Sequence, residues 1–301
     1  MIPFNYHHLY YFYIIAKEGS ISKATYKLRL AQPTLSAQLK QFETFLNAKL
    51  FIRENRNLTL TEEGHQVLAY AKMIFDIGKE LKDRMVDLSH TKGRTRIQLG
   101  VTNSMPKTIT ETMLNYLLRI NPNIYISLIK DQSKKLLQDL DDHVIDLILS
   151  DAPHHSYKGK EIKSHSIGKI PIVFCAHSKI SKKFKKIPQD LNGAPMFLPS
   201  SSRPIFQTLQ EYFLNNNIEP NILGEIEDVE IVRRLVLRGY GVAALNLLTV
   251  LKAPAKEKLI VLKNHSKDII YENFYLITKN RKMPHPLVEK LLKDFHIEKF
   301  I

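Results

Sequence analysis

The segment ISKATYKLRLAQPTLSAQLKQFETFL, residues 21–46, predicts two short helices joined by a tight turn. On the second helix, apolar side chains recur at i, i+4, i+7 and i+11, which predicts one buried stripe. The members of this stripe are Leu35, Leu39, Phe42 and Leu46. The opposite face carries small and hydrogen-bonding side chains with little acid, namely Pro33, Ser36, Ala37 and Lys40, flanked by Gln32, Thr34, Gln38 and Gln41.

A face of this kind differs from an ordinary solvated face, which usually alternates Glu and Lys. It suits the major groove of DNA, where base edges offer mixed hydrogen-bond donors and acceptors. The segment is therefore a helix-turn-helix candidate, with a plain helical hairpin as the alternative.

The flanking sequence completes a small DNA-binding domain. Residues 5–18 predict a helix that ends at Gly19, and residues 49–61 predict a hairpin with a polar tip. Such a wing can lay Arg53 and Arg56 along a phosphate backbone or in a minor groove. Thr61 then caps a helix that runs to about Ser89.

The helix after the wing carries an apolar repeat of strict period seven. Its members are Val67, Ile74, Leu81 and Leu88, with Tyr70 and Ile77 between them. A single helix cannot bury such a seam alone, so the repeat predicts dimerisation with a second chain.

Composition bounds the class of protein. The chain has 301 residues, a formal net charge of +14 and one cysteine. The positive charge favours polyanionic partners, and a single cysteine rules out an internal disulfide framework. The longest apolar runs are far too short to span a bilayer, and the first residues lack the pattern of a signal peptide. We therefore expect a soluble, cytoplasmic protein with no membrane partner.

From Arg96 onward the pattern changes to alternating strands and helices, which indicates a parallel sheet. It restarts after Gly159, and a late return strand at residues 273–278 suggests two hinged α/β lobes with a ligand between them. The resulting division is 1–60 for the DNA-binding domain, 61–92 for the dimerisation helix and hinge, and 93–301 for the effector-binding domain. Within the last, lobe I covers about 93–162 and 268–301, and lobe II about 163–267.

Enzymes and exported solute-binding proteins are the rival classes. Cys175 lies in an apolar strand without an obvious activating His or Asp, and His154-His155 lacks metal-ligand spacing. Gly239-Tyr-Gly241 lacks the rest of a dinucleotide fingerprint and precedes a strand instead of following one. The sequence thus predicts no catalytic residues, no metal site and no cofactor. A solute-binding protein would need an export signal and would not carry a recognition helix.

At this point the sequence resembles the LysR-type transcriptional regulators over essentially its whole length. The residues that carry the resemblance are 30–40, 50–53 and 60–64 in the first part, and 146–149 and 239–242 in the second. Within the family, residues 5–12, 17–20, 150–153 and 222–225 are most similar to the regulators of sodium/proton antiporters. The resemblance suggests control of sodium/proton homeostasis genes.

The resemblance implies a multidomain fold: an all-α winged helix-turn-helix domain, a dimerising linker helix, and an α/β two-lobed effector domain like that of periplasmic binding proteins. It implies a homodimer or homotetramer on interrupted palindromic double-stranded DNA, with RNA polymerase as a further possible partner. By position, the DNA-contacting set is Gln32, Pro33, Thr34, Ser36, Gln38, Lys40, Arg53 and Arg56.

Two positions depart from the family pattern. Ala31 stands where many members have a capping Ser or Thr, which costs roughly 1 kcal/mol of helix stability unless it is compensated. Ala37 stands where many members have Arg, so one base or phosphate contact is absent and a different operator preference is expected.

The same resemblance implies an effector cleft between the lobes, lined by Thr102, Asn103, Ser104, Ser150, Ser200, Ser201 and Ser202. Hydroxyl and backbone N–H groups at a helix start suit a small organic anion. Carboxylates suit a cation such as sodium, and the candidates are Asp131, Asp151, Glu225, Glu227 and Asp228. Both kinds of effector remain open on the sequence alone.

Overall fold

The computed structural model describes residues 4–54, 57–90, 94–154, 162–253, 258–264, 268–280 and 285–301. The chain divides into two compact units, Met1–Val86 and Asp87–Ile301. We describe each unit by itself.

The N-terminal unit is a winged helix-turn-helix, as the sequence predicts. Three helices surround a buried core that includes Phe12, Leu35 and Phe42, each with 1% or less of its surface exposed. The antiparallel strands of the wing pair Phe51 with Leu60. The elements are α1 (Tyr6–Glu18), α2 (Ile21–Leu28), α3 (Gln32–Leu46), β1 (Phe51–Glu54), β2 (Asn57–Leu60) and the long α4 (Glu62–His90).

Local sequence signals explain where these helices begin and end. The Asn5 side chain accepts hydrogen bonds from His7 N and His8 N at the start of α1, and Gly19 ends that helix with φ +65°. Helix α3 begins at Ala31 without a side-chain cap, and Pro33 falls in its first turn, where its missing N–H costs nothing. At α4, Thr61 Oγ1 accepts a hydrogen bond from Gly64 N at 2.9 Å. The predicted capping role of Thr61 is therefore confirmed.

The second unit contains one continuous twisted sheet with helices on its faces. Within the described residues its strands run in the order β4-β3-β5-β11-β6-β9-β7-β8, and β10 pairs with β6. The strands are β3 (Thr95–Thr102), β4 (Ile124–Asp131), β5 (Leu147–Ser150), β6 (Ile162–His177), β7 (Pro195–Pro199), β8 (Asn221–Ile226), β9 (Val242–Asn246), β10 (Leu259–Val261) and β11 (Tyr271–Lys279). The helices are α5 (Lys107–Ile120), α6 (Ser133–Asp141), α7 (Ser178–Ser181), α8 (Pro204–Asn215), α9 (Val229–Leu237), α10 (Leu247–Leu251) and α11 (Pro286–Asp294), with 3₁₀ turns at Gln189–Leu191 and Ile297–Phe300.

The two predicted lobes are two halves of this sheet, joined by the long strand β6. The first half of β6 pairs with β11, from Ile162 opposite Lys279 to Pro171 opposite Tyr271. Its second half, from Ile172 onward, pairs with β9 in the other lobe. The strand therefore begins at Ile162 and not at Ile170 as the sequence pattern suggested, and it passes between lobes near residue 171 instead of at 163.

The early part of β6 escaped prediction because its burial is irregular. Residues 163–166 are exposed or half-buried, and Ile167 is the next fully buried side chain after Ile162. Each lobe nevertheless has its own buried core. Lobe I is centred on Leu99, Met113, Phe274 and Phe295, and lobe II on Phe174, Met196, Leu209 and Val242. None of the described helices is long and apolar enough to cross a membrane.

Candidate DNA-binding surface and effector cleft

The outward face of α3 is open in the N-terminal unit. Gln32, Pro33, Thr34 and Lys40 are exposed, and Ser36 and Gln38 are half-buried. On the other side of the helix, Leu35, Leu39 and Phe42 are buried, while Leu46 is half-buried against the same core. The face that the sequence assigns to DNA is thus free of the unit's own packing.

The wing lies directly after α3 in sequence. Arg53 is on β1, where its backbone pairs with Leu58, but its side chain and the whole of Arg56 lie outside the described residues. Their proposed contact with DNA stays a prediction.

Sequence reasoning missed Glu43, which fixes the wing to α3. Its side chain is 9% exposed. Its Oε1 accepts a hydrogen bond from Leu50 N at 2.9 Å, and its Oε2 pairs with Lys49 Nζ at 2.8 Å. An acid on the buried side of an otherwise apolar helical stripe was the signal that pointed to such a role.

Helix α4 uses its apolar residues differently from the heptad prediction. Val67 and Ile74 are half-buried against the core of their own unit, whereas Leu81 is 61% exposed. The side chain of Leu88 lies outside the described residues. The exposed apolar residues form what we call the linker stripe: Tyr70, Met73, Ile77, Leu81 and Met85. Part of the predicted seam therefore packs within the chain, and the stripe left for a partner is displaced around the helix.

In the second unit, several predicted effector residues meet at the carboxyl ends of the parallel strands β3, β4 and β5. Thr102 and Asp131 are paired positions on β3 and β4, and Asn103 N donates to Asp131 O at 3.1 Å. Ser104 Oγ lies 3.3 Å from Thr102 Oγ1. Ser150, fully buried at the end of β5, donates its hydroxyl proton to Ala152 O at 2.8 Å.

The serines of lobe II form a separate turn before α8. Ser200 Oγ and Ser202 Oγ are 3.0 Å apart, and Ser201 N lies 3.3 Å from Glu225 Oε2. These hydrogen bonds stay within lobe II. The structure records no contact between this turn and Thr102–Ser104 among the described residues, so the two sets form the opposite walls of a proposed cleft.

The residues that join these walls were not predicted as a group. We call Asp151, Arg203, Glu272 and Asn246 the interlobe network. Arg203 follows the serine turn, and its Nη2 lies 2.5 Å from Glu272 Oε1 while its Nε lies 3.5 Å from Asp151 Oδ2. Asn246 Nδ2 donates to Glu272 Oε2 at 2.9 Å. On the lobe I side, Ser104 Oγ donates to Asp151 Oδ1 at 2.7 Å.

This network is shielded from water. The four residues are between 2% and 7% exposed. Burial raises the pKa of Glu272 above its usual range, and the nearby Asp151 adds to the rise, while Arg203 and the hydrogen bond from Asn246 oppose it. The network therefore places charged groups in a medium where an unbalanced charge is costly.

Further contacts join the lobes beside the network. Thr108 on α5 and Thr249 on α10 share a hydrogen bond of 2.7 Å, and Lys252 Nζ donates to Thr112 Oγ1 at 2.6 Å. Lys107 Nζ lies 3.4 Å from Asp228 Oδ2 at the start of α9. Contacts of this number and kind fix the relative position of the lobes in this structure.

Cys175 lies on β6 with no exposed surface. Burial raises the pKa of its thiol to about 12, so the thiol stays protonated at neutral pH and is a poor nucleophile. Among the described residues, no group of three or more His, Cys, Asp and Glu side chains could hold a metal ion.

Comparison with known proteins agrees with this architecture. The family model described as "Bacterial regulatory helix-turn-helix protein, lysR family" matches residues 6–65, and "LysR substrate binding domain" matches residues 90–296. The chain belongs to the LysR family. It is a DNA-binding transcriptional regulator with an effector-binding domain, and the fold expected from the sequence is confirmed.

Individual LysR relatives are similar over most of their length. Transcriptional activator protein NhaR of Escherichia coli is 26% identical over 294 residues, which cover 97% of this chain and 95% of that protein. The transcriptional activator CmpR of Synechocystis sp. is 28% identical over 80% of this chain and 78% of its own length. The crystal structure of the LysR regulator CbnR has the same fold, with a TM-score of 0.56, 21% identity, and coverage of 96% of this chain and all of that one.

Proposed function

We propose that this LysR regulator acts as a homo-oligomer that reads duplex DNA through α3 and the wing, and that a small molecule or ion bound between its lobes controls it. The observation that carries the DNA-binding part is the open face of α3, with Gln32, Thr34 and Lys40 exposed. Glutamine and threonine side chains reach base edges, while lysine neutralises phosphate.

Replacement of Lys40 by Ala tests this surface. The side chain is exposed, so the unit should stay folded, and loss of one phosphate contact should lower operator affinity and reduce the slope of log affinity against log salt by about 0.9. Gel-shift titrations over a range of salt concentrations measure both quantities. Arg53→Ala should behave in the same way.

The matched control is Lys72→Ala, which removes the same charge from an exposed position on α4. It should leave affinity for operator DNA within experimental error of the parent protein. If Lys40→Ala and Lys72→Ala have equal affinities and salt slopes, the recognition role of α3 is wrong.

The oligomer is supported by the linker stripe. Five large apolar side chains are exposed along one side of α4, and Leu81 is the most exposed of the aliphatic ones at 61%. A homodimer through this helix would place two recognition helices on the two halves of an interrupted palindrome. A homotetramer would require further contacts between copies.

The target genes are the least supported part of the proposal. The similarity to NhaR at 26% identity favours genes of sodium/proton homeostasis, and a regulator of chromosomal genes acts in the cytoplasm, where RNA polymerase is a natural further partner. Sequencing of genomic fragments that co-purify with the protein tests this. Fragments without any ion-transport gene nearby would refute the proposed targets and leave the DNA-binding proposal intact.

A further inference from the structure

The interlobe network contains more negative than positive charge. It holds two carboxyl groups, Asp151 and Glu272, but only one guanidinium, Arg203. All three side chains are between 3% and 6% exposed. Moving a charge out of water costs several kcal/mol unless a partner compensates it, so the missing positive group matters.

Hydrogen bonding shows where that group is missing. Both oxygens of Glu272 have donors, Arg203 Nη2 and Asn246 Nδ2. Asp151 Oδ1 accepts from Ser104, but Asp151 Oδ2 is buried without a hydrogen-bond partner, as is Arg203 Nε. The unsatisfied acceptor is therefore on Asp151, on the lobe I side of the cleft.

The hydroxyl groups nearby offer lone pairs and not protons. The Ser104 hydroxyl donates to Asp151, and the Ser150 hydroxyl donates to Ala152 O. An anion needs donors and would meet a carboxylate here. A positively charged group would meet carboxylate, hydroxyl and carbonyl oxygens, which are the ligands that hard cations prefer.

We propose that the effector cleft takes a ligand with a single positive charge, either an inorganic monovalent cation or an alkylammonium group, which binds at Asp151 Oδ2. This rests on the proposed function in one respect, that the cleft is the effector site. The ligand supplies the positive charge that the network lacks.

Binding at this atom links ligand and lobes through Arg203. Arg203 is on lobe II and contacts Asp151 on lobe I, at 3.5 Å between Nε and Oδ2. A ligand on Asp151 Oδ2 competes with that contact, while Glu272 continues to hold Nη2 of Arg203. Arg203 is therefore a positioning residue, whose contact with lobe I depends on whether the ligand is present.

Thermal unfolding of the full chain tests the proposal. At constant ionic strength, tetraethylammonium chloride is replaced stepwise by sodium, lithium or methylammonium chloride. Tetraethylammonium is a suitable background because it is bulky and has no N–H donor. We expect a saturable rise in melting temperature with at least one of the three small cations. A response to sodium or lithium alone identifies an inorganic ion, and a response to methylammonium alone identifies an ammonium ligand.

Asp151→Asn should raise the half-saturating concentration at least tenfold. The matched control is Asp131→Asn, an acid at the neighbouring strand end whose Oδ1 already accepts from Gln132 N, and it should leave that concentration unchanged. Should Asp151→Asn fail to fold, Ser104→Ala keeps the carboxylate but removes the hydroxyl that orients it, and we expect a several-fold weaker response.

Three results would overturn the proposal: no saturable cation response in the parent protein, an equal response in the Asp151 variant, or stabilisation by tetraethylammonium acetate that survives Asp151→Asn while the small cations have no effect. Gel shifts on the same variants keep the two proposals apart. Loss of operator binding by the parent protein refutes the proposed function, whereas an Asp151-dependent cation response stands without it.

Discussion

At position 64 the chain cannot carry a side chain. A Cβ built on Gly64 would lie 2.2 Å from Leu50 O, a backbone atom at the start of the wing. The same residue donates its N–H to the Thr61 cap. The glycine of the segment Leu60–Gly64 therefore lets α4 approach the wing closely enough to fix its position relative to α3.

Gly64→Ala should consequently destabilise the N-terminal unit by about 1–3 kcal/mol, the usual range for overpacking. Gly78→Ala provides a control in the same helix, because a Cβ there meets nothing within 4 Å. That change should stabilise by about 1 kcal/mol, since alanine is the better helix former. Chemical denaturation of both variants measures the two signs, and a stabilising Gly64→Ala would contradict the close approach.

Glu272 gives the effector domain a pH dependence with a definite sign. Burial raises its pKa in the folded chain above the reference value of 4.5. Between these two values the folded state binds more protons than the unfolded state, so the free energy of unfolding falls as pH rises through that window. Glu272→Gln should remove this part of the slope.

Calorimetry of the full chain at a series of pH values measures that slope. Glu289→Gln, which changes an exposed acid on α11 of the same domain, should keep the slope of the parent protein. If Glu272→Gln also keeps the parent slope, the titrating group lies elsewhere.

Among the secondary-structure elements, α4 combines two functions on different sides. One side packs Ala71 and, in part, Val67 and Ile74 into the core of the N-terminal unit. The linker stripe occupies another side, and it includes Leu81. A charge at Ile74 would therefore disturb the unit's own core, whereas a charge at Leu81 would not.

Leu81→Lys should yield a folded protein of lower oligomeric state, because it places a charge in the centre of an apolar contact between copies. Ala69→Lys introduces the same charge at an exposed position off the stripe and should preserve the oligomer. Light scattering coupled to size exclusion measures the mass. A native mass for Leu81→Lys would show that the stripe is not the interface.

At the scale of the whole molecule, the two compact units should unfold as separate steps. Gly64→Ala should lower the temperature of one calorimetric transition. Leu209→Ala, which removes a lobe II side chain that is 1% exposed, should lower that of the other, since such truncations cost about 2–5 kcal/mol. Movement of a single shared transition by both variants would contradict this division.

Much of this organisation could be predicted from the sequence, because it depends on local periodicity. The period of α3 and the cap at Thr61 determine local structure within a few residues, and alternating strands and helices indicate the lobes. The predicted DNA-contacting and effector residues occupy the faces and strand ends that were expected, although their binding roles stay predictions.

The interlobe network could not be predicted in the same way. Arg203 and Glu272 are 69 residues apart, and no spacing in the chain indicates that they meet. One signal was present: Glu272 occupies the same strand face as Phe274 and Leu276, which are fully buried. An acid on an inward-facing strand position needs a buried partner, but the sequence does not say which one. The heptad on α4 misled for a related reason, since periodicity does not distinguish a partner chain from the chain's own core.

The inert thiol of Cys175 has a practical consequence for spectroscopy. Because the native sulfur is enclosed and protonated, maleimide dyes should leave it untouched, and cysteines introduced at surface sites can be labelled without first removing it. Glu111 in lobe I and Asn215 in lobe II are exposed and suit a donor–acceptor pair. Single-molecule fluorescence on such a doubly labelled chain would follow opening of the lobes in real time.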